Sequence, residues 1–111
     1  MRAARKGENM EKTNNFSADE ISEMLSGLKA EARQRFKAEI RGIFGSYVRG
    51  QQREGSDLDV LVEFDDGANL LHLVGLAEFL EEKLHLKVDV VPESALRTEI
   101  RDTVLREMVA V

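Results

Sequence analysis

Asp57 and Asp59 stand two residues apart in Ser56-Asp57-Leu58-Asp59-Val60-Leu61-Val62, shortly after Gly45-Ser46-Tyr47-Val48-Arg49-Gly50. In an extended strand, residues i and i+2 point to the same side of the sheet. The two carboxylates therefore project together, while Leu58, Val60 and Val62 take the other face. Paired carboxylates repel, and a folded protein tolerates them when a cation sits between them. Magnesium suits that place, because it takes oxygen ligands at about 2.0–2.1 Å and is usually shared between carboxylates and substrate phosphates. Gly45 has no Cβ and lets the backbone approach a ligand closely. Ser46 adds a hydroxyl and can open a short helix whose unpaired N–H groups face a phosphate. Arg49 carries a planar fork that can reach a phosphate or a carboxylate. A Gly-Ser turn alone is a weak signal, and so is Asp-x-Asp alone. Both together, with a strand on each side, point to nucleotidyl transfer from a metal-bound polyphosphate.

A two-metal site spaces its ions about 3.5–4 Å apart and needs a further ligand near the attacking hydroxyl. Asp89, within Leu86-Lys87-Val88-Asp89-Val90-Val91, is the candidate. That short β-branched run is bounded by Pro92, and Asp89 faces away from Val88 and Val90. If this strand pairs beside the one carrying Asp57 and Asp59, the three carboxylates converge. An acid inside a strand is costly without a partner. Plainer readings stay open: solvated strand-edge charges for the pair, and an isolated surface acid for Asp89. For Arg49 the alternative is a surface ion pair with Glu54 or Asp57. Tyr47 reads as a helix-surface aromatic packed on a neighbour.

Gly45-Ser46, Arg49-Gly50, Ser56-Asp57-Leu58-Asp59 and Val88-Asp89-Val90 resemble the signature of the DNA polymerase β-like nucleotidyltransferase superfamily. The short chain is similar to its minimal nucleotidyltransferase family, over roughly residues 38–111, with no departure at the motif positions. The resemblance implies an α+β fold, with a small mixed sheet and helices packed mainly on one face. It implies Mg²⁺, two ions, held by Asp57, Asp59 and Asp89 as the catalytic acids. ATP would be the substrate, bound through Gly45, Ser46, Arg49 and Ser56. Members of that family are often antitoxins paired with a HEPN-domain ribonuclease toxin. The implied reaction is AMP transfer onto a tyrosine of such a toxin. Two alternatives stand beside it: an antitoxin that only binds and occludes, and transfer to a small-molecule hydroxyl.

Composition sets limits in the same direction. A chain of 111 residues is expected to form one domain over 16–111, too small to hold a separate acceptor-binding domain. The acceptor is then expected to be a macromolecule, or a partner subunit completes the site. The net charge of −5 argues against nucleic acid as a direct ligand, which needs a basic surface. Without cysteine, disulfides and thiolate metal sites are excluded, and a reducing cytoplasm is the natural setting. No apolar run approaches the ~20 residues of a membrane span, so no membrane is expected. Homo- or hetero-oligomers are both left open.

The remaining elements read as scaffold. Residues 1–15 are polar, lack a signal-peptide core and are expected to be a disordered tail, with Met10 an alternative start. Ser17 and Glu20 form a capping box, and Phe16 with Ile21 a hydrophobic staple. One helix is expected from there through Leu25, Leu28, Ala32 and Phe36. Strands follow at 40–44, 58–64 and 86–91, with a short helix after Ser46. A helix over 70–84 is expected to turn Leu70, Leu73, Val74, Ala77, Leu80 and Leu84 inward. Ser94 is expected to cap a last helix reaching about Glu107, with 108–111 adding an edge strand. On that helix Arg97, Arg101 and Arg106 read as a solvated face. His72 and His85 have no partner at zinc-ligand spacing.

Overall fold

The computed structural model describes residues 16–111. The tail expected over 1–15, and the alternative start at Met10, lie outside the described residues.

Strand β2 (Leu58–Phe64) forms where apolar and polar residues alternate, and Leu58, Val60 and Val62 are completely buried. It is flanked by antiparallel β1 (Ala38–Phe44) and by parallel β3 (Val88–Pro92). Short β4 (Val109–Ala110) pairs outside β1, giving a mixed sheet of order β3-β2-β1-β4. Gly42 permits the last pairing: a Cβ there would stand 2.7 Å from the Val109 carbonyl oxygen and 2.9 Å from Met108 Sδ. The β1–β2 register slips between Ile40 and Gly42, leaving Arg41 as an extra residue, the signature of a bulge.

A parallel pair needs a crossover, supplied by α4 (Leu70–Leu84). Asn69 Oδ1 accepts from the Leu71 and His72 N–H groups, and His72 Nδ1 accepts from the Asn69 N–H. Helices α1 (Ala18–Ser26) and α2 (Lys29–Phe36) pack with α4 around the core, which joins Ile21, Leu25, Ile40, Ile43, Leu76 and Leu80. The capping box is present, with Ser17 Oγ accepting from Glu20 N–H at 3.1 Å and Glu20 Oε1 accepting from Ser17 N–H at 2.8 Å. Short α3 (Ser46–Arg49) follows β1, and α5 (Thr98–Glu107) precedes β4.

Four expectations are corrected. The first helix is two helices, broken at Gly27 and Leu28; glycine is a poor helix former, and its N–H returns to Glu23 and Leu25 carbonyls. The inward stripe of α4 holds at Leu80 and Leu84, buried with Leu76 and Phe79, and at Leu73 and Ala77, packed on the core, but fails at Leu70, 71 % exposed, and Val74, 44 % exposed. Ser94 caps nothing and lies in a 3₁₀ turn (Glu93–Ala95), with Arg97 preceding α5. Arg101 also leaves the solvated face assigned to it. Its Nη2 donates to Glu93 Oε2 at 2.8 Å, and Arg41 Nη1 reaches Glu93 Oε1 at 3.0 Å.

Candidate active site

The strand register assembles the acids. Asp59 is the second residue of β2, directly opposite Asp89 on parallel β3. Adjacent strands lie about 4.8 Å apart, so the two carboxylates leave neighbouring backbones. On the other side Asp59 pairs with Phe44, the last residue of β1. That pairing delivers Gly45 against Asp59. Asp57 stands just before the strand and is exposed, as is Asp89; Asp59 is half-buried.

Gly45 has φ 83° and ψ −150°, a region essentially reserved for glycine. A Cβ there would fall on Asp59 Oδ2. The turn thus depends on glycine twice, for its backbone angles and for the room it leaves the carboxylate. The Gly45 carbonyl accepts from the N–H groups of Val48 (3.1 Å) and Arg49 (3.2 Å), closing α3. The N–H groups of Ser46 and Tyr47 open that helix and have no partner within it.

The charges interact. Burial, then the neighbouring carboxylates of Asp89 and Asp57, push the Asp59 carboxyl up to about 6, against a smaller downward pull from Arg49. Burial and the charge of Asp57 raise the Tyr47 phenol as well. Among the described residues, no three His, Cys, Asp or Glu side chains are drawn close enough together to hold a metal ion as they stand. The donor set nevertheless suits one. Three carboxylates share one end of the sheet, the most buried holds its charge with difficulty, and Gly45 leaves the room that carboxylate occupies.

Other residues of the motif have more local partners. Arg49 Nε donates to Gln51 Oε1 at 3.1 Å rather than to Glu54 or Asp57. Ser56 Oγ accepts from Arg53 N–H at 2.8 Å, and Ser56 N–H donates to the Arg53 carbonyl at 2.9 Å, so Ser56 closes the loop into β2. Sequence reasoning missed Gln51 as the holder of Arg49, and nothing in its spacing marks it. It also missed Gln52, whose Oε1 is buried without a hydrogen-bond partner among the described residues. Tyr47 is not on the helix surface as expected: it is 4 % exposed and belongs to the core.

The chain is similar to known proteins. Residues 25–111 match the family model of the nucleotidyltransferase domain. The protein adenylyltransferase MntA of Thermococcus cleftensis is 47 % identical over 96 residues, which is 86 % of this chain and 97 % of that one. A Methanocaldococcus jannaschii protein provisionally named a protein adenylyltransferase is 39 % identical over 77 residues, covering 69 % of this chain and 90 % of its own. A solved structure provisionally described as a minimal nucleotidyltransferase superposes with TM-score 0.66 at 38 % identity, over 80 % of this chain and 94 % of that chain. A crystal structure of a toxin–antitoxin with AMP-PNP superposes with TM-score 0.59 at 25 % identity, over 73 % of this chain and 67 % of that chain.

Proposed function

The chain belongs to the nucleotidyltransferase domain family and is a nucleotidyltransferase, and we propose that it moves AMP from ATP onto a hydroxyl of a partner protein. The partner we infer is the HEPN-domain ribonuclease toxin of a two-gene module, encoded beside this chain, which acts as its antitoxin. A toxin–antitoxin structure holding a nucleotide analogue supports the pairing, and adenylyltransferase relatives at up to 47 % identity support the reaction. The observation that carries the catalytic reading is the Asp59–Asp89 register with Gly45 fitted against Asp59.

Asp57, Asp59 and Asp89 would hold Mg²⁺. When bound, that ion neutralises triphosphate charge and lowers the pKa of the acceptor hydroxyl. Gly45 allows the triphosphate to approach the backbone, and the free N–H groups of Ser46 and Tyr47 offer donors to its β- and γ-phosphates. Arg49, tethered through Nε, keeps its Nη groups for a phosphate oxygen. Asp89, the exposed acid at the sheet edge, receives the proton of the acceptor hydroxyl. The hydroxyl oxygen bonds to the α-phosphorus as the bond from that phosphorus to the bridging oxygen breaks, and pyrophosphate leaves. No covalent intermediate with this chain is needed; positioning and charge neutralisation supply the rate. The absence of cysteine fits a reducing cytoplasm, and no described helix is long and apolar enough to cross a membrane.

Calorimetric titration with ATP tests the site. Binding is expected with magnesium and is expected to be lost in Asp57→Asn/Asp59→Asn, with the fold retained. Unchanged affinity in that double variant, or without magnesium, would remove these acids from the nucleotide site.

A further inference from the structure

The start of α4 leaves apolar side chains in water. Leu70 is 71 %, Leu71 78 % and Val74 44 % exposed, all within the helix's first turn and a half. At 100° per residue these three share one side of the helix with Glu78 and Glu82. The acids Asp65 and Asp66 precede them in the turn after β2, so the apolar cluster is bounded by acid at both ends. Asp65 is answered by Arg33 at 3.7 Å. Asp66, Glu78 and Glu82 have no ion-pair partner within 4.0 Å among the described residues. Lys37 Nζ lies beside Gly67, near Asp66 but outside ion-pair distance of it, and the cations nearest Glu78 and Glu82 are engaged elsewhere. Arg35 is bound to Glu31 at 2.7 Å and stacked on the Phe36 and Phe79 rings, and Lys83 lies over Phe79.

We propose that Leu70, Leu71 and Val74 anchor a partner protein whose contact face has an apolar centre and a basic rim. The inference rests on the reading of this chain as half of a toxin–antitoxin pair, and it names the surface that reading requires. Contiguous exposed apolar side chains rimmed by charge mark interaction sites, and the uncompensated acids select a cationic rim. A second copy is a poor occupant. A two-fold contact is self-complementary, so it would set Asp66, Glu78 and Glu82 of one copy against the same acids of the other. Three side chains are an anchor rather than a whole interface, since a stable one buries about 800 Å² per partner.

The placement separates docking from chemistry. Asp59 lies at the start of β2 and Asp65 just past its end, about 20 Å away at ~3.3 Å per residue. A partner held at α4 must therefore bring its acceptor hydroxyl back along the sheet, on an extended segment or from another copy of itself.

The test uses the full chain, the protein encoded beside it, and Leu71→Ser/Val74→Ser, which alters only exposed side chains. The expected result is that the KM for the partner in AMP transfer rises about tenfold or more. The turnover at saturating partner and the ATP affinity should stay at wild-type values. Glu78→Lys/Glu82→Lys should raise the same KM and flatten its increase with salt. Unchanged KM in both variants overturns this surface while leaving the transfer reaction intact. No transfer to, and no complex with, that protein by the wild-type chain overturns the toxin–antitoxin reading and this inference with it. A wild-type dimer in light scattering that Leu71→Ser/Val74→Ser dissociates would assign the face to a second copy. Protection of Leu71 that is lost when residues 1–15 are removed would assign it to the chain's own terminus. Either of the last two results also overturns the proposal.

Discussion

Gly45 and Asp59 form one unit, and their substitutions have opposite expected effects on stability. Gly45→Ala must hold a side chain at φ 83° and displace the Asp59 carboxylate. Backbone strain alone costs on the order of 1–3 kcal/mol, and activity should fall further because the displaced group is a proposed metal ligand. Denaturant unfolding beside transfer kinetics checks both; near wild-type turnover in Gly45→Ala would take the turn out of the site. For Asp59 the sign runs the other way. Its carboxyl is raised from 3.8 to about 6 in the folded protein by burial and by Asp89 and Asp57, so the folded state binds the proton more tightly than the unfolded chain. The resulting stabilisation is fully present below pH 3.8 and is lost as pH rises through 6. Metal-free protein should therefore lose Tm between about pH 4 and 6 through this group. Asp59→Asn should remove that slope and raise Tm at pH 7. Thermal scans in chelator decide the matter, and an unchanged slope in Asp59→Asn would show that the carboxylates do not strain the empty site.

At the scale of elements, the Glu93 carboxylate ties β1 to α5 through Arg41 and Arg101, and it is only 14 % exposed. Glu93→Ala removes the carboxylate the two guanidinium groups share, leaving Arg41 only Glu63 at 3.1 Å and Arg101 only the residue 93 carbonyl at 3.4 Å. It is expected to cost about 1–3 kcal/mol and to speed amide exchange in α5 more than in α4. Equal exchange in both helices would mean that α5 is held by its other contacts. This tie was not legible in the sequence, because Glu93 and Arg41 are 52 residues apart and Arg101 falls at solvent-like spacing. Strand β2 and helix α4 were legible to the residue, since an alternating run and a capped apolar run of 15 residues each admit one period. The side that α4 buries was legible at Leu73, Ala77, Leu80 and Leu84 but not in the first turn, at Leu70 and Val74. Leu70 and Val74 fit an inward stripe as well as Leu76 and Phe79 do, and only the position of α2 against the helix, with Phe36 packed on Gly75 and Phe79, chooses between them. Gly27 could have been read as a helix break. The Asp59–Asp89 pairing stood in the sequence only as a condition, that the two short β-branched runs lie side by side, and the parallel register meets it, whereas the Arg49–Gln51 bond depends on loop conformation, which carries no periodic signal.

The whole molecule has an asymmetric plan. Gly45, Asp57, Asp59 and Asp89 gather at one end of β2 and β3, and uncovered leucines with an acidic rim begin α4 at the other end. An overall charge of −5 suits a cationic protein partner better than a phosphate backbone. A catalytic antitoxin and an occluding one share that surface and differ only in whether the acids act. Asp89→Asn separates them, because Asp57 and Asp59 remain to hold the nucleotide-bound metal while the group receiving the hydroxyl proton is gone. The most direct measurement is the intact mass of the partner encoded beside this chain, co-expressed with wild type or with Asp89→Asn, alongside growth rescue. The account predicts the added mass of AMP and rescue with wild type, and neither with Asp89→Asn. Full rescue by Asp89→Asn, with no mass change on the partner of the wild-type chain, would contradict it.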